Sequence, residues 1–201
     1  MKKSIVVSTS STKFSALAFK ENLKESIKKV AHLGFDGAEL AVRNPKDLKV
    51  EDVINIIKEN NLEVPAIGTG QAYGEEGLSF SDPDEIVRKM AVERINDQII
   101  FASYFKAQVI IGLIRGKIEE SVDREKAEEW TIDCLKKCAE RAKEYNIQLT
   151  LEPVNRYESN FINTIDQGIK FIKCVGVSNL GLLADTFHMN IEEVSIEESI
   201  I

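Results

Sequence analysis

Six times in succession a short run of β-branched and aliphatic residues gives way to a longer amphipathic stretch, and this alternation restricts the fold more than any other property of the chain. The apolar runs are SIVVST, GAELAV, LEVPAIGTG, AQVIIGL, IQLTLEPV and LGLLADTF, each short enough for a strand. In ENLKESIKKVAHLG, Leu23, Ile27, Val30 and Ala31 recur at helical spacing and Gly34 supplies a stop. VEDVINIIKENN places Val53, Ile56 and Ile57 on one helical face. SDPDEIVRKMAVERINDQIIFASYF predicts a long helix, capped by Ser81 or Asp82 with Pro83 in its first turn. SVDREKAEEWTIDCLKKCAERAKEYN and TIDQGIKFIKCVG predict two more, and EEVSIEESII opens a further one. Repeated βα units form a parallel sheet with helices outside it. A doubly wound sheet places a glycine-rich phosphate loop after an early strand. GTGQAYGEEG follows the third strand, but it does not fit GxGxxG and predicts no immediate helix. The competing architecture is an α/β barrel, (β/α)8, whose chemistry sits at the C-terminal ends of its strands. That is the expected fold, with about six βα units present and residues 1–201 forming one domain incomplete at the C-terminus.

Two acids stand where such a barrel keeps its chemistry. LTLEPVNRYE ends a strand in Glu152, and LGLLADTFHMN ends the next in Asp185, with His188 three residues on. Side chains alternate along a strand, so Gln148, Thr150 and Glu152 share one face while Leu149 and Leu151 share the other. The leucines suit packing against helices, which turns Glu152 inward. Gly181, Leu183 and Asp185 share a face by the same count. His188 has the wrong parity for that face and is expected just beyond the strand. Two inward carboxylates on neighbouring strands, with an imidazole near them, are the beginnings of a divalent-metal site. Glu39, at the end of the second strand, has inward parity but no evident partner.

Composition excludes several classes. With 26 basic and 33 acidic residues the formal charge is -7, a surface that repels phosphate backbones and argues against nucleic-acid binding. No stretch reads as a membrane span, and IVV in MKKSIVVSTSS is too short for a signal-peptide core. Cys134, Cys138 and Cys174 are odd in number and lack CxxC spacing, so neither a disulfide framework nor a zinc ribbon is expected. Cys134 and Cys138 lie four apart on one helical face and read as packing residues, and a reducing cytoplasm fits the set. Of the two histidines, His32 falls at the end of a helix.

GFDGAELAVR, AIGTGQAY, VIIGLIRG, LEPVNRYESNFINT and LGLLADTFHMNIEE together resemble the xylose-isomerase-like barrel superfamily. Within it they are most similar to sugar 3-epimerases, and to the 5-keto-L-gluconate epimerase branch in particular. The resemblance implies a divalent metal, manganese first and magnesium, cobalt or zinc as alternatives, held by Glu, Asp, His and Glu from four strand ends. Glu152 matches the first ligand and also a proton-transfer group; Asp185 matches the second. His188 and Glu158 match residues that contact the substrate rather than the metal. The third and fourth ligands belong to strands seven and eight and have no counterpart before Ile201. The expected activity is therefore that of a sugar or keto-sugar-acid isomerase, moving a proton at the carbon next to a ketone, with the 201-residue chain itself a poor catalyst. Its open first and sixth strands leave homo-oligomerisation open.

A non-catalytic sugar- or metal-binding protein is the rival from another class. An endonuclease-IV-like phosphodiesterase needs more than two histidines. GTGQAYGEEG and the IRG turn after the fourth strand are expected in the pocket wall, with Gln71 or Tyr73 touching substrate. Arg115 reads either as a solvated arginine or as a partner for a substrate carboxylate, and Asn155 or Arg156 as a residue that orients Glu152.

Overall fold

The computed structural model describes residues 1–12, 19 and 22–201. Its strands are β1 (Ser4–Ser8), β2 (Gly37–Ala41), β3 (Ala66–Gly68), β4 (Gln108–Ile111), β5 (Leu149–Leu151) and β6 (Leu180–Leu182). Between and after them lie α1 (Leu23–His32), α2 (Val50–Glu59), α3 (Gly70–Glu76), α4 (Glu85–Ser103), α5 (Arg124–Glu144), α6 (Ile165–Val175), α7 (Thr186–Glu192) and α8 (Ile196–Ile200). All neighbouring strands pair in parallel, in the order β1-β2-β3-β4-β5-β6. Among the described residues β1 and β6 are the edges of this sheet. Every apolar run read from the sequence forms a strand, shortened at its ends.

Parity divides the sheet into a dry outer face and a cavity-facing inner one. Leu40, Ile67, Val109, Ile111, Leu149 and Leu151 point outward and are fully buried beneath the helices. Against them lie Ile27 and Val30 of α1, Ile95 and Ile99 of α4, and Leu135, Cys138, Ala139 and Ala142 of α5. Burial of each large aliphatic side chain contributes roughly 1.5–3 kcal/mol, so this layer fixes which strand face turns inward. Cys134 and Cys138 are buried in it, as packing residues, while Cys174 is exposed. Inward, the hydrogen-bonded rung runs Ala41, Gly68, Ile110, Thr150, Gly181. Glu152 is one inward position above this rung and Glu39 one below.

Helix ends follow local chemistry, with three departures from expectation. Asn22 caps α1 by accepting from the Glu25 N–H, and the helix ends at the exposed His32; the expected start at Glu21 lies outside the described residues. The cap of α4 is Asp84, which accepts from the Ile86 N–H, so Ser81, Asp82 and Pro83 all precede the helix; Asp82 instead accepts from the Asp84 N–H. GTGQAYGEEG does run into a helix, α3, whose short apolar content hides its period. The segment after β6 forms α7 before the anticipated α8, so His188 is helical. Among the described residues no helix is long and apolar enough to cross a membrane.

Candidate functional site

A cavity of about 590 Å³ opens at the C-terminal ends of the strands, within the size range of small-molecule sites. Glu152 enters it directly after β5, with its N–H donating to Ile111 O at 3.1 Å, and occupies space that a side chain at position 112 would fill. A Cβ on Gly112 would lie 2.6 Å from Glu152 Oε2. A similar arrangement recurs two strands away, where a Cβ on Gly68 would come 3.3 Å from Glu39 Oε1. A glycine at the end of each neighbouring strand thus leaves room for an inward acid.

Asp185 caps α7: its Oδ1 accepts from the Phe187 N–H at 2.7 Å. Its Oδ2 stands 3.9 Å from His188 Nε2. Glu152, Asp185 and His188 each present one ligand atom within 4.8 Å of the others. Glu158 lines the same cavity and receives a hydrogen bond from Asn155 at 2.8 Å. The structure therefore brings together all four residues singled out from sequence.

Glu39, read from sequence as inward-facing but without an evident partner, joins them in the cavity. Its inward parity was the available signal, as for Glu152, but it stands in the middle of β2 rather than at the strand end expected from sequence. Strand tilt in a barrel staggers the rungs, so acids that stand at different rungs of β2 and β5 share one cavity. Burial, and then the charge of Asp185, push the Glu39 carboxyl up to about 7. Glu152 is pushed up to about 7 as well, by burial first, then by Asp185 and Glu39, with Arg115 opposing. Three crowded carboxylates, opposed among the described residues chiefly by Arg115, are a site that a cation would relieve. Hard oxygen donors beside one imidazole suit Mn²⁺ or Mg²⁺, so the residues present fit a divalent ion.

Arg115 behaves as neither sequence reading supposed. It is fully buried behind Gly112 and donates to four backbone carbonyls: Phe161 O (3.0 Å), Gly112 O (2.7 Å), Glu152 O (2.9 Å) and Ile162 O (2.8 Å). It ties the turn after β4 to the loop after β5, and so it is neither solvated nor available to a substrate carboxylate. The cavity wall here is Gly112 and Leu113, with the IRG turn behind it. Arg156 does not orient Glu152; it makes a two-pronged pair with Glu192 at 2.9 Å per bond, fastening the β5 loop to α7. Asn155 does not touch Glu152 either; its amide nitrogen faces Glu158 Oε1 and His188 Nδ1, each at 2.8 Å. Gln71 lines the cavity, donating through Nε2 to Ser8 Oγ at 2.8 Å. Tyr73 lies in a separate depression beside Lys117 and Glu119.

The family model described as xylose isomerase-like TIM barrel matches residues 27–200. The chain belongs to the xylose isomerase-like TIM barrel family. Among its relatives in that family, the L-ribulose 3-epimerase of Mesorhizobium japonicum is 31% identical over 91% of this chain and 61% of its own length. The D-psicose 3-epimerase of Ruminiclostridium cellulolyticum is 31% identical over 86% of this chain and 60% of its own. A solved structure of L-ribulose 3-epimerase aligns with all of this chain and 66% of its own at a TM-score of 0.81 and 29% identity. The chain thus spans about three fifths of the length of these curated relatives.

Proposed function

We propose that residues 1–201 form a single domain of a metal-dependent sugar 3-epimerase, an isomerase that moves a proton at the carbon next to a ketone. The supporting observation is the convergence of the Glu152 and Asp185 carboxylates at the strand ends, with His188 beside them, all within 4.8 Å, in a chain whose relatives include an L-ribulose 3-epimerase and a D-psicose 3-epimerase. Glu152 and Asp185 would hold the ion, manganese in the first place. When bound, a divalent cation supplies Lewis-acid stabilisation of charge that develops on a ketone oxygen. Glu152 takes the proton from the substrate carbon; a carboxyl pushed up to about 7 is well matched to proton exchange near neutrality. Asp185, with Oδ1 committed to the α7 cap, offers Oδ2 as its ligand atom. His188 and Glu158 contact the substrate's hydroxyl groups. Among the described residues Gln71 Oε1 has no hydrogen-bond partner, and it suits a further hydroxyl donor.

The cavity favours a neutral ketose over a keto-sugar acid. Its ionisable lining, among the described residues, is Glu39, Glu152, Glu158, Asp185 and His188, which repels a carboxylate. The case for a sugar acid rested on Arg115, which is buried elsewhere. Three free thiols suit a reducing cytoplasm, and the edges at β1 and β6 suit self-association.

Solvent exchange tests the proposal at its first step. In a full-length version of this protein, with Mn²⁺ in D₂O, L-ribulose or D-psicose should gain deuterium at C3, and Glu152→Gln should abolish the gain while retaining some metal affinity. Exchange within about tenfold of wild type in the variant, roughly 1.4 kcal/mol in barrier, would remove Glu152 as the base. Metal and sugar binding with no exchange in the wild type would establish a non-catalytic binding protein instead.

A further inference from the structure

Asn155 is 2% exposed and sits between two of the site's side chains. Its Oδ1 accepts from the backbone N–H of Tyr157 at 3.0 Å. A peptide N–H only donates, so this contact fixes which end of the amide is oxygen. The nitrogen end must then face Glu158 Oε1 and His188 Nδ1, each at 2.8 Å. Two amide hydrogens meet two acceptors. A second donor, the backbone N–H of Asn155 itself, lies 3.3 Å from the same Nδ1. An imidazole nitrogen that receives from two N–H groups presents its lone pair to them. Were Nδ1 protonated, hydrogens would meet head-on, and the carboxylate oxygen on that side, Glu158 Oε1, is 3.9 Å away, beyond hydrogen-bond length. The ring proton therefore resides on Nε2, the nitrogen on the Asp185 side.

We propose that Asn155 is the positioning residue of this site: one amide hydrogen holds His188 in its Nε2–H tautomer and the other holds Glu158. His188 then presents Nε2–H to the cavity, which is the form that the substrate contact implied by the family resemblance requires. The substrate contact rests on the epimerase reading; the tautomer does not. A protonated Nε2 has no lone pair for a metal, so proximity of the three ligand atoms overstates the coordination they provide. Sequence spacing alone could not distinguish these roles, because the tautomer is set by residue 155 from a different strand end.

The chain has two histidines, which makes the test direct. The 201-residue protein is prepared with ¹⁵N-histidine, and long-range ¹H–¹⁵N spectra are recorded at pH 8 without metal and with Mg²⁺. The exposed His32 serves as the tautomer-averaged reference. His188 should show an unprotonated-type Nδ1 and a protonated-type Nε2, more widely separated than in His32 and unmoved by Mg²⁺. In Asn155→Asp a carboxylate replaces the donor, and the two shifts should exchange as Nδ1 takes the proton. A protonated Nδ1 in the wild type, a tautomer average equal to that of His32, or an unchanged pattern in Asn155→Asp would overturn the proposal. Should the variant fail to fold, the wild-type spectrum still decides. Deuterium exchange into L-ribulose is read separately, in a full-length version of the protein: a fixed tautomer without exchange there supports the role of Asn155 and counts against the epimerase reading alone.

Discussion

Replacing Glu39 by Gln should make the ion-free protein more stable at pH 8 and less sensitive to pH. The carboxyl of Glu39 is lifted from 4.5 to about 7 in the folded chain, by burial and by the negative charge of Asp185. A lift of that size corresponds to about 3 kcal/mol. The folded state holds the proton more tightly than the unfolded chain, so stability falls as pH rises. Glu39's contribution is fully present below about pH 4.5 and is lost by the time pH passes about 7. Glu152 responds to the same neighbours over the same interval. Because the two acids and Asp185 share one repulsion, their contributions overlap, and about 3 kcal/mol is an upper bound for Glu39 alone. Glutamine keeps the shape and removes the charge. Urea unfolding followed through Trp130, the single tryptophan, should be measured in EDTA at several pH values between 4.5 and 8. Comparing variant with wild type cancels the general effect of the -7 net charge. The variant should gain about 1–3 kcal/mol at pH 8, with little change at pH 4.5. An unaltered pH slope would refute the reasoning, since it would mean that Glu39 is ionised without penalty in the folded state.

Three further outcomes follow from other parts of the site and core. Gly112→Ala brings a Cβ to 2.6 Å from Glu152 Oε2, so Mn²⁺ affinity by calorimetry should drop at least about tenfold, roughly 1.4 kcal/mol; undiminished affinity would show that Glu152 does not need that space. Arg115→Met leaves the carbonyls of Gly112, Glu152, Phe161 and Ile162 without their donor, and urea titration should register a loss of about 4 kcal/mol. Arg115→Lys should recover little of it, because one ammonium cannot span the fork. Burial pushes the Cys134 thiol up to about 11 and holds Cys138 well above its ordinary value, while Cys174 is exposed; a chromogenic disulfide reagent should therefore modify one thiol promptly in the native protein and all three in urea.

Much of this molecule was written in local pattern. The βα alternation, the outward leucines of β5 and the inward parity of Glu152 and Asp185 depend only on side-chain period, and period survives folding unchanged. The short helices α3 and α7 escaped because GQAYGEE and TFHMNIE span about two turns each, too few for an amphipathic period to declare itself. The α4 cap was misplaced because Ser81, Asp82 and Asp84 are all competent caps, and the choice among them depends on how the β3–α4 loop meets the barrel. What tertiary structure decided was company. Glu39 acquired its neighbours only when tilted strands carried residues from distant segments to one cavity. Arg115, which looked like a surface or substrate-binding cation, found four carbonyls from two loops that no spacing rule connects. Sequence determined which side chains face inward, because alternation is a property of one strand; the fold determined what each of them meets, because hydrogen bonds and charge act through space and across strands.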